Sequence, residues 1–418
     1  MNIAPAIKIS FDIDLPPYSL VDIAQLMRDQ DNFIIFGTGA LAIKVKCLLE
    51  TKYKKNVSAF VEYDQYKIID KRLDHVPVCH INEINLETYV MVIASYHEIE
   101  VARYLMRIYG MKYYKNFLFF DHILMLDHEF YYDGFGLEFY HFFQKNKRLF
   151  QEAFDVLSDV CSRDVYVKLI KARALAFSPE ILELPTDLTT QKEYEKKAMG
   201  YGATLNKIMP LSLRENVAFK IALDPYSYHD KVSPRHKKII LNVGAYNNTS
   251  IMFSYFSPHG VVYAFEPQEK VHQDNVRLSE IYKNIVPVQA GIWSRTGEVA
   301  FDINESDVTG STASSINAQG KTTIKVYSID DFVLENGLQG VDFIKMDIEG
   351  GEVEALKGAQ NVIRDFGPDL AISIYHKADH LYAIPLLIKK LNPRYNIYID
   401  HRYYNLTETV CFATIENQ

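Results

Sequence analysis

Two textures alternate along this chain. Runs of four or five apolar residues that stop at a glycine or an acidic residue are followed by stretches in which apolar positions recur every three or four residues. The first texture predicts strands buried on both faces, the second helices that pack one face on them, and their alternation predicts parallel α/β units. The first unit begins at Asn32. Phe33–Phe36 reads as a strand, Gly37-Thr38-Gly39 as a tight turn and Ala40–Thr51 as a helix. A second strand, Val57–Val61, ends in Glu62 and Asp64, and a third, Val90–Ala94, precedes a helix over about Ile99–Tyr109. Residues 1–125 therefore read as a small Rossmann-like domain.

From 126 to 233 aromatic and charged residues alternate at helical spacing, broken at Gly134, Gly136, Gly200 and Gly202, which predicts a helical connector. Arg163 and Arg173 are expected there on a solvated or inter-domain face. Tyr226–His229 is expected either to cover a ligand pocket of the next domain or to pack on its core. From 234 to 418 strands recur regularly: Ile239–Val243, Val261–Phe265, Val286–Ala290, Val341–Met346, Leu370–Ile374, Tyr395–Ile399 and Thr409–Ala413. The first five read as parallel and buried, the last two as an antiparallel hairpin at one edge. Two extra runs, Glu298–Ile303 and Thr322–Tyr327, flank a Ser/Gly/Asn-rich loop, Asn304–Gly320, that would stand at the carboxyl edge as a lid or substrate loop.

Composition narrows the partners. A chain of 418 residues exceeds one ordinary domain, and about 150 residues per domain suggests two or three. A formal charge of -8 and a pI near 5.9 argue against a nucleic acid, which needs a concentrated basic surface. Cys47, Cys79, Cys161 and Cys411 are scattered, with neither metal-ligand spacing nor a disulfide framework, which fits a reducing cytoplasm. Met1–Leu20 has no uninterrupted apolar core, so no signal peptide or spanning helix is expected. A homo-oligomer stays open.

Three sequences in the last region carry candidate chemistry. Ile239–Val243 breaks at Gly244 ahead of a segment able to start a helix, where a larger side chain would block a ligand from the backbone. Val261–Phe265 ends in Glu266, 22 positions after Gly244, where a carboxylate at a strand tip can accept both hydroxyls of a ribose. The turn lacks the three glycines that pack a pyrophosphate, and the chain has no Gly-Lys-Ser/Thr phosphate loop, so a nucleoside without phosphates fits better. In the third sequence Asp347 ends a buried strand, Glu349 follows two residues on and Glu352 lies in the first turn of the next helix. Extended geometry would send Asp347 and Glu349 to one side. The N-terminal Gly37-Thr-Gly39-Ala-Leu-Ala42 with Glu62 offers a similar but less specific pattern. It reads either as a nucleotide turn or as a turn that lets strand meet helix, and no Tyr-x-x-x-Lys pair supplies hydride chemistry.

Residues 238–414 resemble the FkbM-type methyltransferase family. Asn242-Val-Gly-Ala-Tyr-Asn-Asn-Thr-Ser250 resembles its Asp-x-Gly-Ala-Tyr-x-Gly-Asp-Thr turn, Phe265-Glu-Pro267 its ribose motif and Lys345-Met-Asp-Ile-Glu-Gly-Gly-Glu352 its signature. Ser373-Ile-Tyr-His376 and Asp400-His-Arg-Tyr403, with Glu408-Thr-Val410, resemble further blocks. Asn242 and Asn248 depart from the pattern, standing where the family usually has Asp and Gly, and Thr249-Ser250 replaces Asp-Thr. Asn242 cannot attract a cationic group as a carboxylate would. The N-terminal unit resembles a nucleotide-sugar-associated domain that precedes some glycan-modifying enzymes.

The resemblance implies a seven-stranded Rossmann-like methyltransferase sheet, S-adenosylmethionine as cofactor and O-methylation of a sugar or glycan-type acceptor. Expected at the cofactor are Asn242, Gly244, Ala245, Tyr246, Glu266, Pro267, Gly291, Trp293 and Asp347, with Trp293 at the tip of the third strand, stacked on adenine or buried in the core. Methyl transfer to an alcohol also needs somewhere for the acceptor proton to go. Asp347, His376 and His401 are the candidate catalytic residues, His376 being the preferred base and His401 the second choice. Asp347, Glu349 and Glu352 could instead hold Mg2+, a hard ion that takes oxygen ligands. The alternative is that Glu352 caps its helix and Glu349 pairs with Lys345 or another cation. His380 and His272 read as surface residues. Two other functional classes stay open: a binding or scaffold module left by the altered turn, and a nucleotide-sugar oxidoreductase or epimerase run by the N-terminal domain.

Overall fold

The computed structural model describes residues 11, 20–63, 68, 72–95, 98–111, 116–120, 123, 136–174, 229–246, 249–302, 315–316, 322–401 and 409–415. Asp64, all of 175–228 including Tyr226, Asn248, Arg402 to Glu408, and the Asn304–Gly320 loop apart from Ser315–Ile316 lie outside them. Among the described residues no helix is long and apolar enough to cross a membrane. The chain divides into two compact units, one of Ile13–Lys145 with Lys168–Glu183, the other of Met1–Asp12, Asn146–Val167 and Leu184–Gln418.

In the first unit β1 (Asn32–Phe36), β2 (Asn56–Glu62), β3 (Arg72–Leu73), β4 (Val76–His80), β5 (Val90–Ile93) and β6 (Phe117–Phe119) form a sheet in the order β3-β4-β2-β1-β5-β6. All neighbours are parallel except β3 and β4. Helices α1 (Leu20–Asp29), α2 (Ala40–Thr51) and α3 (Glu98–Tyr109) accompany it. Phe33 and Ile35 of β1 share a core with Val45 and Leu49 of α2, which is why β1 is apolar throughout its buried length.

Helices α4 (Gly136–Val156) and α5 (Val160–Ala174) follow, and they correct the solvated reading of two arginines. Arg173 has no exposure; its guanidinium lies 5.9 Å from the Phe139 ring, and burial lowers its pKa to about 9. Arg163 is half-buried over Phe154 and donates to Leu157 O at 2.9 Å. Neither is simply solvated, because aromatic rings take the surface that water would have covered.

The second unit runs β7 (Ile239–Val243), α6 (Thr249–Phe256), β8 (Val261–Phe265), α7 (Glu269–Ile281), β9 (Ile285–Val288), β10 (Gly291–Ile292), β11 (Gly297–Asp302), β12 (Ser315–Ile316), β13 (Thr322–Tyr327) and α8 (Ile329–Glu335). It continues with β14 (Phe343–Met346), α9 (Glu352–Lys357), α10 (Gln360–Asp365), β15 (Asp369–Ser373), α11 (His380–Leu391), β16 (Asn396–His401) and β17 (Thr409–Thr414). Seven strands form one sheet in the order β16-β17-β15-β14-β7-β8-β9, in which β17 runs against both neighbours and the remaining pairs are parallel. The order therefore reverses between β7 and β14, and ligands of open α/β sheets bind outside the carboxyl ends at such a point.

A second small sheet, β10-β13-β11-β12, corrects the expected end of the third strand. Ala290 N–H donates back to Val288 O at 2.9 Å, a tight turn that stops β9 and sends Gly291–Ile292 off to pair with β13. At the far edge of the main sheet β16 is covered. Leu157 bridges Ile397 in parallel, Ser158 N–H donates to Ile397 O at 2.8 Å, and the Ser158 and Ser162 hydroxyls accept from the N–H groups of Ile397 and Ile399 at 2.8 and 3.0 Å. His229 also packs on the core, stacked 4.5 Å from the Phe412 ring.

Candidate active site

β7 and β14 come together at their carboxyl ends through a glycine. Gly244 has φ +76°, and a Cβ there would lie 1.9 Å from Asp347 O, so the position admits no side chain. Asp347 N–H donates to Val243 O at 3.1 Å, and the N–H groups of Gly244 and Ala245 donate to Phe265 O at 3.1 and 2.9 Å. The ends of β7, β8 and β14 are thereby locked edge to edge. Lys345, buried within β14, donates to Gly244 O at 2.7 Å and supports the turn from below. A lysine inside an otherwise apolar strand was the sequence signal for this contact.

Asn242 is fully buried and its Nδ2 donates to Thr249 Oγ1 at 2.9 Å and Ser250 Oγ at 3.0 Å. Those hydroxyls are spent as donors, on Tyr246 O and Asn275 Oδ1. Both therefore need a donor partner, which an amide supplies and a carboxylate does not. Asn275 Nδ2 in turn donates to Ala245 O at 2.7 Å. Asn242 thus fixes the start of α6. Its Oδ1 has no partner among the described residues. Tyr246 is half-buried, as is Pro267.

Glu266 follows β8 and is almost wholly buried; its Oε1 accepts from Gln268 N–H at 2.8 Å. Burial raises its pKa to about 7, against the opposing pull of Gln268 N–H and Lys345. Trp293 is half-buried and sits beside the segment that follows β14. Its N–H donates to Tyr327 O at 2.8 Å, a Cβ on Gly351 would come 3.1 Å from its Cζ3, and one on Gly358 would come 2.2 Å from its carbonyl oxygen. It packs against both ends of α9, and Gly291 lies with it beside β13.

The carboxylates after β14 gather around His376. Its Nδ1 lies 2.9 Å from Glu352 Oε1, and its Nε2 lies 3.3 Å from Asp347 Oδ1 and 3.4 Å from Glu349 Oε2. Asp347 and Glu349 do share a side, but a turn and not an extended chain puts them there: β14 ends at Met346 and Glu349 adopts φ +54°. Glu349 faces the His376 imidazole, which when protonated is the other cation of the alternative reading. Glu352 turns inward, accepting from Ile348 N–H at 2.9 Å, with Oε2 3.4 Å from His380 Nδ1. That contact corrects the surface reading of His380, which is buried at the start of α11. His272 is half-buried.

Electrostatics set the charges in this cluster. Burial alone would neutralise both Glu352 and His376, but their mutual attraction outweighs it, so Glu352 is held down to about 2 and His376 raised to about 9. Burial lowers His380 to about 4 despite the pull of Glu352. The carboxylates around His376 thus favour its protonated form, whereas a general base needs the neutral one. Asp347 Oδ1 accepts from Ser373 Oγ at 3.0 Å and Tyr375 OH at 3.2 Å, two residues flanking Ile374 whose alternation along an extended segment places them together. His401, also buried, bonds through Nδ1 to Thr409 Oγ1 at 2.9 Å across the β16–β17 pair. It shares the carboxyl edge of the sheet and closes the hairpin there.

Residues 242–397 match the family model of the methyltransferase FkbM domain. Asn242, Glu266, Asp347 and the His376 cluster all fall within the FkbM match, and His401 lies just beyond it. Hexuronic acid methyltransferase AglP of Haloferax volcanii is 28% identical over 104 residues, 25% of this chain and 43% of that protein. The match thus spans less than half of that relative's length. The crystal structure of methyltransferase FkbM from Methylobacillus flagellatus KT is similar with a TM-score of 0.60 and 18% identity, over 96% of this chain and 94% of that one, a likeness of fold.

Proposed function

We propose that this protein is an S-adenosylmethionine-dependent O-methyltransferase whose acceptor is a hydroxyl of a sugar or glycan precursor. The observation that carries the reading is the convergence of the Gly244 turn, Glu266 and Asp347 at adjacent strand ends, where the sheet order reverses. These residues fit a nucleoside cofactor: the Gly244-Ala245-Tyr246 turn presents backbone, and Glu266 offers a buried carboxylate to the ribose hydroxyls. When bound, S-adenosylmethionine supplies an electrophilic methyl group on a sulfonium.

Asp347, fixed by Ser373 and Tyr375, orients the acceptor hydroxyl and takes up its proton. His376, set between the carboxylates, holds Asp347 in place, and much of the rate comes from this positioning. The relation to a hexuronic acid methyltransferase supports a sugar acceptor. In the N-terminal unit Thr38 Oγ1 donates to buried Glu62 Oε1 at 3.0 Å beside the Gly37 turn, an arrangement that supports a nucleotide or nucleotide-sugar there.

Calorimetry tests the cofactor. The protein is expected to bind S-adenosylmethionine one to one, and Glu266→Gln to weaken binding by about 10- to 100-fold, the worth of hydrogen bonds to a charged group. Because burial raises Glu266 to about 7, affinity is expected to fall as pH drops below that value and the carboxylate protonates. Absence of binding at millimolar ligand would sink the reading. Transfer of a methyl group to a sugar nucleotide or oligosaccharide, followed by mass spectrometry, tests the acceptor class.

A further inference from the structure

Asp347, Glu352 and His376 offer ligand atoms within 4.8 Å of one another, and Glu349 stands on the same nitrogen of His376 as Asp347. The nitrogen lies 3.3 Å from Asp347 Oδ1 and 3.4 Å from Glu349 Oε2. Donors bound to one cation at about 2.1 Å are separated by roughly 3.0 Å along an octahedral edge and roughly 3.4 Å along a tetrahedral one. Both distances from the nitrogen match the tetrahedral value.

The surroundings are those of a ligand set already oriented. Glu352, without exposure, faces Nδ1 of the same imidazole at 2.9 Å and is itself anchored by Ile348 N–H. A carboxylate on the far nitrogen is the usual backing of a metal-bound histidine, because it fixes the tautomer and the ring angle. Asp347 is held by two hydroxyls. Exposure is graded across the cluster: the side chains of His376 and Glu352 have none, whereas those of Asp347 and Glu349 keep 24% and 25%. An ion here would be bound from the protein side and open towards solvent, the layout of a catalytic and not a structural site.

We propose that Asp347, Glu349 and His376 bind one divalent cation of the zinc or manganese type, with Glu352 as the positioning residue behind the imidazole. The ion takes the place of the Nε2 proton. This set differs from three carboxylates on magnesium in two respects: Glu352 is turned away towards His376 and His380, and one donor is an imidazole. A nitrogen donor favours zinc over manganese and both over magnesium or calcium, which prefer oxygen alone. An acceptor hydroxyl on the open position would lose its proton more easily; that role rests on the methyltransferase reading, whereas the ion site does not.

The full chain, treated with a chelator and dialysed, is titrated with Zn2+ and Mn2+ by calorimetry, and with Mn2+ also by loss of the free-ion paramagnetic resonance signal. One ion per chain is expected, with zinc the tighter. Asp347→Asn and Glu349→Gln are expected to weaken binding by about tenfold or more, and Glu352→Gln by about 10- to 100-fold. Glu349→Gln removes a charge from a partly exposed side chain and keeps its shape, so a folding failure in the buried variants does not blunt the test. Wild-type protein that takes up neither ion at millimolar concentration overturns the proposal, as does equal affinity in the wild type and Glu349→Gln. S-adenosylmethionine binding is measured on the same samples: ion binding without cofactor binding overturns only the methyltransferase reading, and cofactor binding without ion binding overturns only the ion site.

Discussion

Gly244→Ala is expected to abolish cofactor binding and to destabilise the fold by about 3 kcal/mol or more, combining backbone strain with overpacking. The added Cβ would lie 1.9 Å from Asp347 O and 3.0 Å from Asp347 C. Both obstacles are backbone atoms, which cannot swing aside as the end of a flexible side chain can. Relief requires β7 and β14 to part at their carboxyl ends, breaking the hydrogen bond from Asp347 N–H to Val243 O and moving the candidate catalytic carboxylate. Gly337→Ala is the matched control. Gly337 has φ +60° with nothing within 4 Å of a new Cβ, so only the conformational cost of roughly 1–2 kcal/mol remains. Thermal unfolding and calorimetry on both variants separate strain from collision. A Gly244→Ala protein that binds and melts like the control would refute the close approach of the two strands.

The second large effect comes from Glu352. Replacing it with glutamine removes one partner of a buried ion pair and should cost about 3–5 kcal/mol at neutral pH. Its signature lies in the pH dependence of the chelator-treated protein. His376 is raised from 6.5 to about 9, so its contribution is complete below pH 6.5 and is lost as pH rises through 9. Glu352, lowered from 4.5 to about 2, contributes fully above pH 4.5 and loses that contribution as pH falls towards 2. His380, lowered from 6.5 to about 4, contributes above pH 6.5 and progressively less towards pH 4. Stability from this cluster is therefore greatest near pH 6.5, with an alkaline decline that belongs to His376. Urea unfolding across this range is expected to show that decline in the wild type and a weaker one in Glu352→Gln, where the imidazole loses the largest of the three counter-charges that raise its pKa. An unchanged alkaline limb would mean that the pair is not formed.

The strands that build the site were legible because their ends are chemically marked. β7 and β8 begin and end where the apolar runs do, each closed by Gly244 or Glu266. The third strand was not, since the apolar residues from Val286 to Ile292 carry no such mark and the chain turns at Ala290 through a backbone bond that sequence does not show. Gly291 therefore pairs with β13 and does not extend β9. Within the cluster, spacing correctly grouped Asp347 with Glu349, but the grouping depends on the left-handed backbone at Glu349. His380 could not be found locally, because its partner Glu352 precedes it by 28 positions. Asn242, which read in isolation as a lost carboxylate, forms a network with Thr249 and Ser250 in which the donors and acceptors match. The departures at 242, 249 and 250 are better understood together than one at a time.

The covering of β16 bears on how this enzyme fold could be dissected. A fragment cut at residue 234, where the run of strands begins, would leave behind Leu157, Ser158 and Ser162, and with them the groups that satisfy Ile397 and Ile399. Its sheet would end in an unpaired strand, the kind of surface on which chains zip together and precipitate. Retaining Asn146–Val167, supplied as a separate peptide or by a shortened connection, should keep such a fragment monodisperse in size-exclusion chromatography.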